Sequence, residues 1–274
     1  MNKKGQFTLV VVLGIVVLLL IGLFILFQKD IFGFVGIGEE LAYPSEVQEI
    51  VVHVQECVDT SVQEGVANIG YTGGYYVLPS LSYTHEDLGA SVPYYSYDGN
   101  TVMISNFYME GELSQYVTSL ISSCIDLAQF SDFTLTEGDI VVSSTIEDLN
   151  VFVQVRYPLT ATAGESSYTL PELYESDIAS PLGTVYDVAS SIITRIEENP
   201  NTVEYGSLLG YGLSKIVVAP IEQGVLLYTL QQEDVHFLFA VHYALSESLE
   251  CVDTLDCEDG FLCDSGVCVK EKVE

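Results

Sequence analysis

The residues best suited to chemistry in this chain are six cysteines and four histidines. Four of the cysteines, Cys251, Cys257, Cys263 and Cys268, stand in "CVDTLDCEDGFLCDSGVC", a C-x5-C-x5-C-x4-C spacing close to the carboxy terminus. Such a cluster suits either zinc or disulfides. Structural zinc sites usually space a cysteine pair by two to four residues, a spacing that only Cys263 and Cys268 meet here, and an outside compartment is oxidising. The stretch is too short for an apolar core of its own, and an even set of close cysteines then reads as a disulfide staple. Four cysteines allow three connectivities. The expected one is Cys251–Cys263 with Cys257–Cys268, because interleaved bridges lock both loops.

Cys57 and Cys124 remain, each on the apolar face of an expected helix. Buried thiols are ordinary in cores, but an isolated thiol is unusual outside the cell, and pairing these two makes the total even. A Cys57–Cys124 bridge between the helices is therefore expected.

The histidines offer less. His53 falls in the first expected helix, and His85 in the loop "THEDL". His236 and His242 share an expected strand and a face, but lie about 20 Å apart at ~3.3 Å per residue, too far to share one metal. HExxH, GxSxG, GxxxxGK[ST] and GxGxxG are all absent, so none of the chemistries those motifs support is indicated. No cofactor or metal is expected, and the chain reads as non-catalytic.

What must hold these residues in place begins with "KKGQFTLVVVLGIVVLLLIGLFILFQK". From Phe7 to Phe27 run 21 residues without a charge. At about 1.5 Å per residue they span the ~30 Å hydrocarbon core of a bilayer. A cleaved secretory signal has a shorter apolar region and an A-x-A-like site, which is missing here. Residues 1–29 are thus expected to form a short cytoplasmic stub and one transmembrane helix. Lys3 and Lys4 set the amino end inside and put the rest outside.

The outer part is strongly acidic. All 39 acidic residues lie at or after Asp30, against five basic ones: Arg156, Arg195, Lys215, Lys270 and Lys272. Nucleic acid is excluded as a partner, because phosphate binding needs clustered Lys and Arg. An anionic membrane surface would repel the head. Adaptation to salt- or cation-rich surroundings accounts for such a field, and no D-x-[DN]-x-[DN]-G calcium loop occurs.

Residues 30–44, with Gly33, Gly36, Gly38 and Pro44, read as a flexible neck. Residues 45–247 read as an ectodomain of α+β class with a largely antiparallel sheet, and 248–274 as the disulfide-stapled module. A helix opens at Ser45, with Ser45 and Gln48 fitting a capping box and Gly70 a plausible stop. A second helix is expected over Glu110–Ala128, with Leu113, Val117, Leu120, Ile121, Cys124 and Leu127 on one face. Ser180-Pro181 is expected to open a third, with proline at the first helical position. "GYTGGYYVLP" reads as a packed turn, and "VPYYSYDGNTVMI" as a hairpin with Asp98-Gly99 or Gly99-Asn100 at its tip. "DIVVSSTI", "NVFVQVRYPL", "SKIVVAP", "GVLLYTLQQ" and "DVHFLFAVHYAL" read as strands.

Three resemblances follow from these residues. "KKGQFTLVVVLGIVVLLL" resembles the class III signal of type IV pilins, especially archaeal ones. That resemblance implies cleavage between Gly5 and Gln6, with the apolar helix then anchoring the subunit or packing inside a filament. Val10 stands where pilins usually carry a glutamate, fifth after the cut. The carboxy-terminal cysteine segment resembles small extracellular modules of Dickkopf-like and EGF-like type. In overall layout the ectodomain is similar to anchored surface proteins of small-genome archaea. The function expected is that of a single-pass cell-surface protein, structural or adhesive. Its partners are the membrane, through the amino-terminal helix, and other surface proteins or subunits. A pilin-like filament subunit and an anchored extracellular solute-binding protein or hydrolase are the alternatives.

Overall fold

The computed structural model describes residues 43–85, 90–199, 205–222, 224–243, 261–264 and 267–270. The expected membrane helix, the Gly5–Gln6 junction, the neck up to residue 42, Cys251 and Cys257 lie outside the described residues. Among the described residues no helix is long and apolar enough to cross a membrane.

Helix α1 (Ser45–Tyr71) buries Val47, Ile50, Val54, Cys57, Val58, Val62, Val66 and Ile69. These recur every three or four residues, which puts them on one face. The helix runs through Gly70 instead of stopping there. Gly70 is required for another reason: a Cβ on it would stand 2.4 Å from the carbonyl oxygen of His236. Beyond Tyr71 the chain turns through Gly73 and Gly74, both at positive φ. The buried Tyr95 hydroxyl donates to the Gly73 carbonyl at 2.9 Å. The glycine-aromatic stretch is a packed turn, as expected.

Helix α2 (Asn106–Cys124) begins four residues earlier and ends four earlier than expected. The start is set by Ser105, whose side chain caps the helix by accepting from the Tyr108 N–H. Leu127 belongs to a separate 3-10 turn, Leu127–Gln129, capped by the Asp126 carboxylate. Met109, Leu113, Val117 and Ile121 are the buried positions. Cys124, expected on the same apolar face, is exposed at the helix end.

One sheet consists of β1 (Ser82–His85), β2 (Ala90–Tyr97), β3 (Asn100–Thr101), β10 (Lys215–Glu222), β11 (Val225–Gln232) and β12 (Val235–His242), in the order β1-β2-β12-β11-β10 with β3 also on β2. Pairing is antiparallel except between β12 and β2. Tyr97 pairs with Asn100, so Asp98-Gly99 forms the hairpin tip. Both are at positive φ, 49° and 75°, the signature of a two-residue type I′ turn.

The remaining strands of the core form a second, three-ribbon layer. β5 (Val141–Ile146), β6 (Asn150–Arg156) and β9 (Leu173–Ala179) pair antiparallel, as do β4 (Thr134–Glu137), β7 (Leu159–Ala163) and β8 (Ser166–Thr169). The two sets are halves of the same bent ribbons, broken at Pro158, which lacks a donor for the ladder. Hydrogen bonds carry the pairing across the break: Gly138 N–H to Pro158 O at 2.8 Å, Tyr157 N–H to Glu172 O at 2.8 Å, Leu170 N–H to Leu159 O at 2.9 Å. Val151, Val153 and Val155 of β6 are fully buried.

An open strand edge attracts unwanted pairing, and α2 covers that of β5. The Glu110 carboxylate accepts the Ile146 N–H at 2.9 Å, and Ser114 meets Ser144 at 3.0 Å. Helix α3 (Leu182–Glu198) buries Leu182, Val185, Ala189, Ile192 and Ile196 and touches strands of both layers. Pro181 is its cap residue, one place ahead of the expected position. A short turn of helix, α4 (Tyr205–Leu208), precedes β10. The architecture is α+β with largely antiparallel sheets. Near the carboxy end β13 (Phe261–Asp264) and β14 (Val267–Lys270) form a separate antiparallel hairpin.

Candidate functional site

The expected Cys57–Cys124 bridge is present, with an S–S distance of 1.99 Å and Cα atoms 5.7 Å apart. It ties the middle of α1 to the last residue of α2. Where α1 and α2 cross, Gly65 leaves room for Val117: a Cβ there would approach its side chain to 2.9 Å. In the carboxy-terminal hairpin the backbone register sets Cys263 opposite Cys268. Opposed antiparallel residues have Cα atoms about 4.5–5.5 Å apart, within disulfide reach. A Cys263–Cys268 link therefore stands as an alternative to the interleaved pairing.

The histidines do not converge. His53 is edge-on to Phe130 at 5.6 Å, with its Nε2 3.0 Å from the Gln129 amide nitrogen. His236 stacks on Tyr71 at 5.3 Å. His85 lies in β1. Among the described residues no group of three His, Cys, Asp or Glu side chains is placed to hold a metal.

His242 is the exception in its surroundings. Its ring stacks on Tyr97 with centroids 4.7 Å apart, and Tyr97 meets Tyr94 edge-on at 5.1 Å. Nδ1 lies 2.7 Å from the Asp98 carboxylate, but without the alignment of a hydrogen bond, so the contact is an ion pair only when the imidazole is protonated. A bulge makes this cluster. Ala240 pairs with Tyr94 and Val241 with Ser96, which leaves Tyr95 as the extra residue. Without it, Tyr94 and Tyr97 would point to opposite faces. With it, both lie on one face of the sheet, and Tyr95 turns to the opposite face, into the core against Phe239 at 4.7 Å. Bulges re-aim side chains in this way.

Tyr83, Tyr94, Tyr97, Leu227, Leu238 and Ile221 continue that face around the buried Val92, Val225 and Ala240. Burial pushes the Tyr94 phenol up to about 12, and the Glu222 carboxylate and the neighbouring Tyr97 and Tyr83 add to the effect. The face thus offers tyrosine rings beside Asp98 and Glu222. Aromatic faces with nearby carboxylates suit apolar and cationic groups. No alternating pattern announces it; the only sequence signal is "YYSY", where period two would put Tyr97 with Tyr95 instead of with Tyr94.

A second feature is a cleft of about 310 Å³ between α1 and the end of β9, lined by Gln63, Val66, Ala67, Ala179, Ser180 and Asp234 among others. The Ser180 side chain is buried, and its Oγ has no hydrogen-bond partner among the described residues. No family model, curated protein or solved structure matches this chain.

Proposed function

We propose that the protein is a membrane-tethered cell-surface module, non-catalytic, whose acidic head makes structural or adhesive contacts. The observation that carries this reading is the Cys57–Cys124 disulfide. Disulfides persist in oxidising compartments and are rare in the cytosol, which supports an outer location for residues 45–247. The 21-residue apolar stretch Phe7–Phe27 supplies the tether. The part-exposed Tyr83 and Tyr97, beside the exposed Asp98, supply a contact point. Protease applied to intact cells is expected to release the head and leave an anchored stub. Full protection, with cleavage only after lysis, overturns the reading.

The cleft at Ser180 favours one second reading, an anchored solute-binding module. A buried hydroxyl without a partner costs free energy unless something satisfies it, and a small polar solute would do so. Thermal-shift screening with Ser180→Ala as control separates the two: a solute that stabilises the parent chain and not the variant selects the binding module.

A further inference from the structure

Strand β10 is the outer strand of its sheet among the described residues. Its ends carry opposite charges, Lys215 and Glu222. Seven positions separate them, so an even strand would set them on opposite faces. A bulge prevents this. Leu226 pairs with Pro220 and Val225 with Glu222, leaving Ile221 as the extra residue. Lys215, opposite Gln231, and Glu222, opposite Val225, therefore share one face.

Among the described residues Lys215 has no ion pair, whereas Arg156 lies 3.5 Å from Glu172 and Arg195 sits over the Tyr211 ring at 5.9 Å. Lys215, Val217, Pro220 and Glu222 are exposed. Beside the strand, a groove of about 360 Å³ is lined by Tyr205, Leu208, Leu209, Ile216 and Val218 among others, and Leu209 is 90 % exposed.

We propose that β10 pairs antiparallel with β10 of a second copy of this chain, about a two-fold axis at Val218. With Ile221 bulged out in both copies, the register sets Lys215 against Glu222 twice, Ile216 against Pro220, Val217 against Ala219 and Val218 against itself. Like faces meet like faces throughout. Alternate residues of an edge strand turn their N–H and C=O groups outward. Pro220 has no N–H to give β11 and belongs to the outward set, which makes Val218 and Ile216 its other members. Val218 exchanges two hydrogen bonds with its copy, and each Ile216 N–H donates to a Pro220 carbonyl. A two-fold interface must be self-complementary, and this strand meets that condition in both charge and register. An unrelated peptide strand would satisfy the backbone alone. With 39 acidic residues against 8 basic ones, two copies repel at long range, so the contact depends on the few places where opposite charges meet.

The test uses the full chain in mild detergent, sized by light scattering at micromolar concentrations. A dimer is expected. Lys215→Glu should weaken it by at least about tenfold, since like charges across an interface are costly, with far-UV circular dichroism unchanged. Lys215→Glu combined with Glu222→Lys should restore it. Val218→Cys should give an interchain disulfide on oxidation, because opposed Cα atoms lie within cystine reach. A monomeric parent chain overturns the proposal, as does a dimer indifferent to Lys215→Glu, a charge swap that fails to restore it, or a Val218→Cys chain that cross-links only to a different protein.

Discussion

The His242 ring stacks on Tyr97 with a 4.7 Å centroid separation because one extra residue, Tyr95, is inserted into β2. That insertion serves both faces of the sheet. On one, it aligns Tyr97 with Tyr94 and His242. On the other, it sends Tyr95 into a stack with Phe239, which in turn stacks on Tyr228 at 5.0 Å. Tyr97→Ala is expected to expose His242 while leaving that inner stack intact. NMR should show a displaced His242 imidazole and unchanged Phe239 ring shifts; large shifts at Phe239 would contradict the two-sided arrangement.

Removing the bridge by Cys57→Ala with Cys124→Ala opens a loop with a sequence separation of 67. In the chain-entropy account such a closure stabilises by about 4 kcal/mol. A loss of that order is expected in urea unfolding, with the slope against denaturant raised by a less constrained unfolded chain. A loss under about 1 kcal/mol would mean the helices hold each other without the bridge.

Alkaline stability is set by buried phenols. Tyr94 is raised to about 12 by burial first, and burial also raises Tyr95, Tyr157 and Tyr228. Each is an acid whose folded value exceeds its unfolded value near 10. Its contribution is complete below about pH 10 and is lost as pH climbs toward the folded value. Melting temperature should therefore hold below pH 10 and fall between pH 10 and 12. Absorbance at the tyrosinate band should show a delayed fraction that ionises with unfolding; a single step near 10 for all tyrosines would refute this.

Glu110→Ala leaves the Ile146 N–H without its acceptor at the edge of β5. A cost of about 1–3 kcal/mol is expected for a part-buried donor, together with faster hydrogen exchange at Ile146. Unchanged exchange there would show that water already serves the edge.

The Gly5–Gln6 junction has its own test in amino-terminal sequencing of the native protein. A Gln6 start with the chain abundant in sheared filaments would favour a pilin-like subunit over a tethered head. An intact Met1 would remove pilin-like processing. Were the chain cut there, Val10 in place of a glutamate would leave the new amino group without a counter-charge, and an unpaired charge in an apolar bundle is costly. The tethered head is therefore the expected result.

Elements with a strong period were legible in the sequence. The apolar positions of α1 and α3, the Val151–Val153–Val155 alternation and the Asp98-Gly99 turn all lie where their spacing puts them. The Cys57–Cys124 pairing was legible from cysteine parity. What escaped was β1, β4 and the ribbons β7, β8 and β9, whose Thr, Ser and Ala residues give weak hydrophobic contrast. The tyrosine face escaped for a different reason. Bulges at Tyr95 and Ile221 reset strand parity, and a period-two reading assigns every residue beyond a bulge to the wrong face.

The place of the bridge along α1 has a mechanical consequence. Ser45 is where a pull from an amino-terminal tether would enter the head, and Cys57 lies only twelve positions further on. Tension reaching Cys57 passes through a covalent link to Cys124, so the load skips the enclosed loop and continues along the chain after Cys124. Everything between the two cysteines, including the turn at Gly73 and the Asp98-Gly99 hairpin, is shielded from extension. A head dragged by its anchor would gain no length from the enclosed loop, and any extension would come from the first turns of α1 and from the chain beyond Cys124.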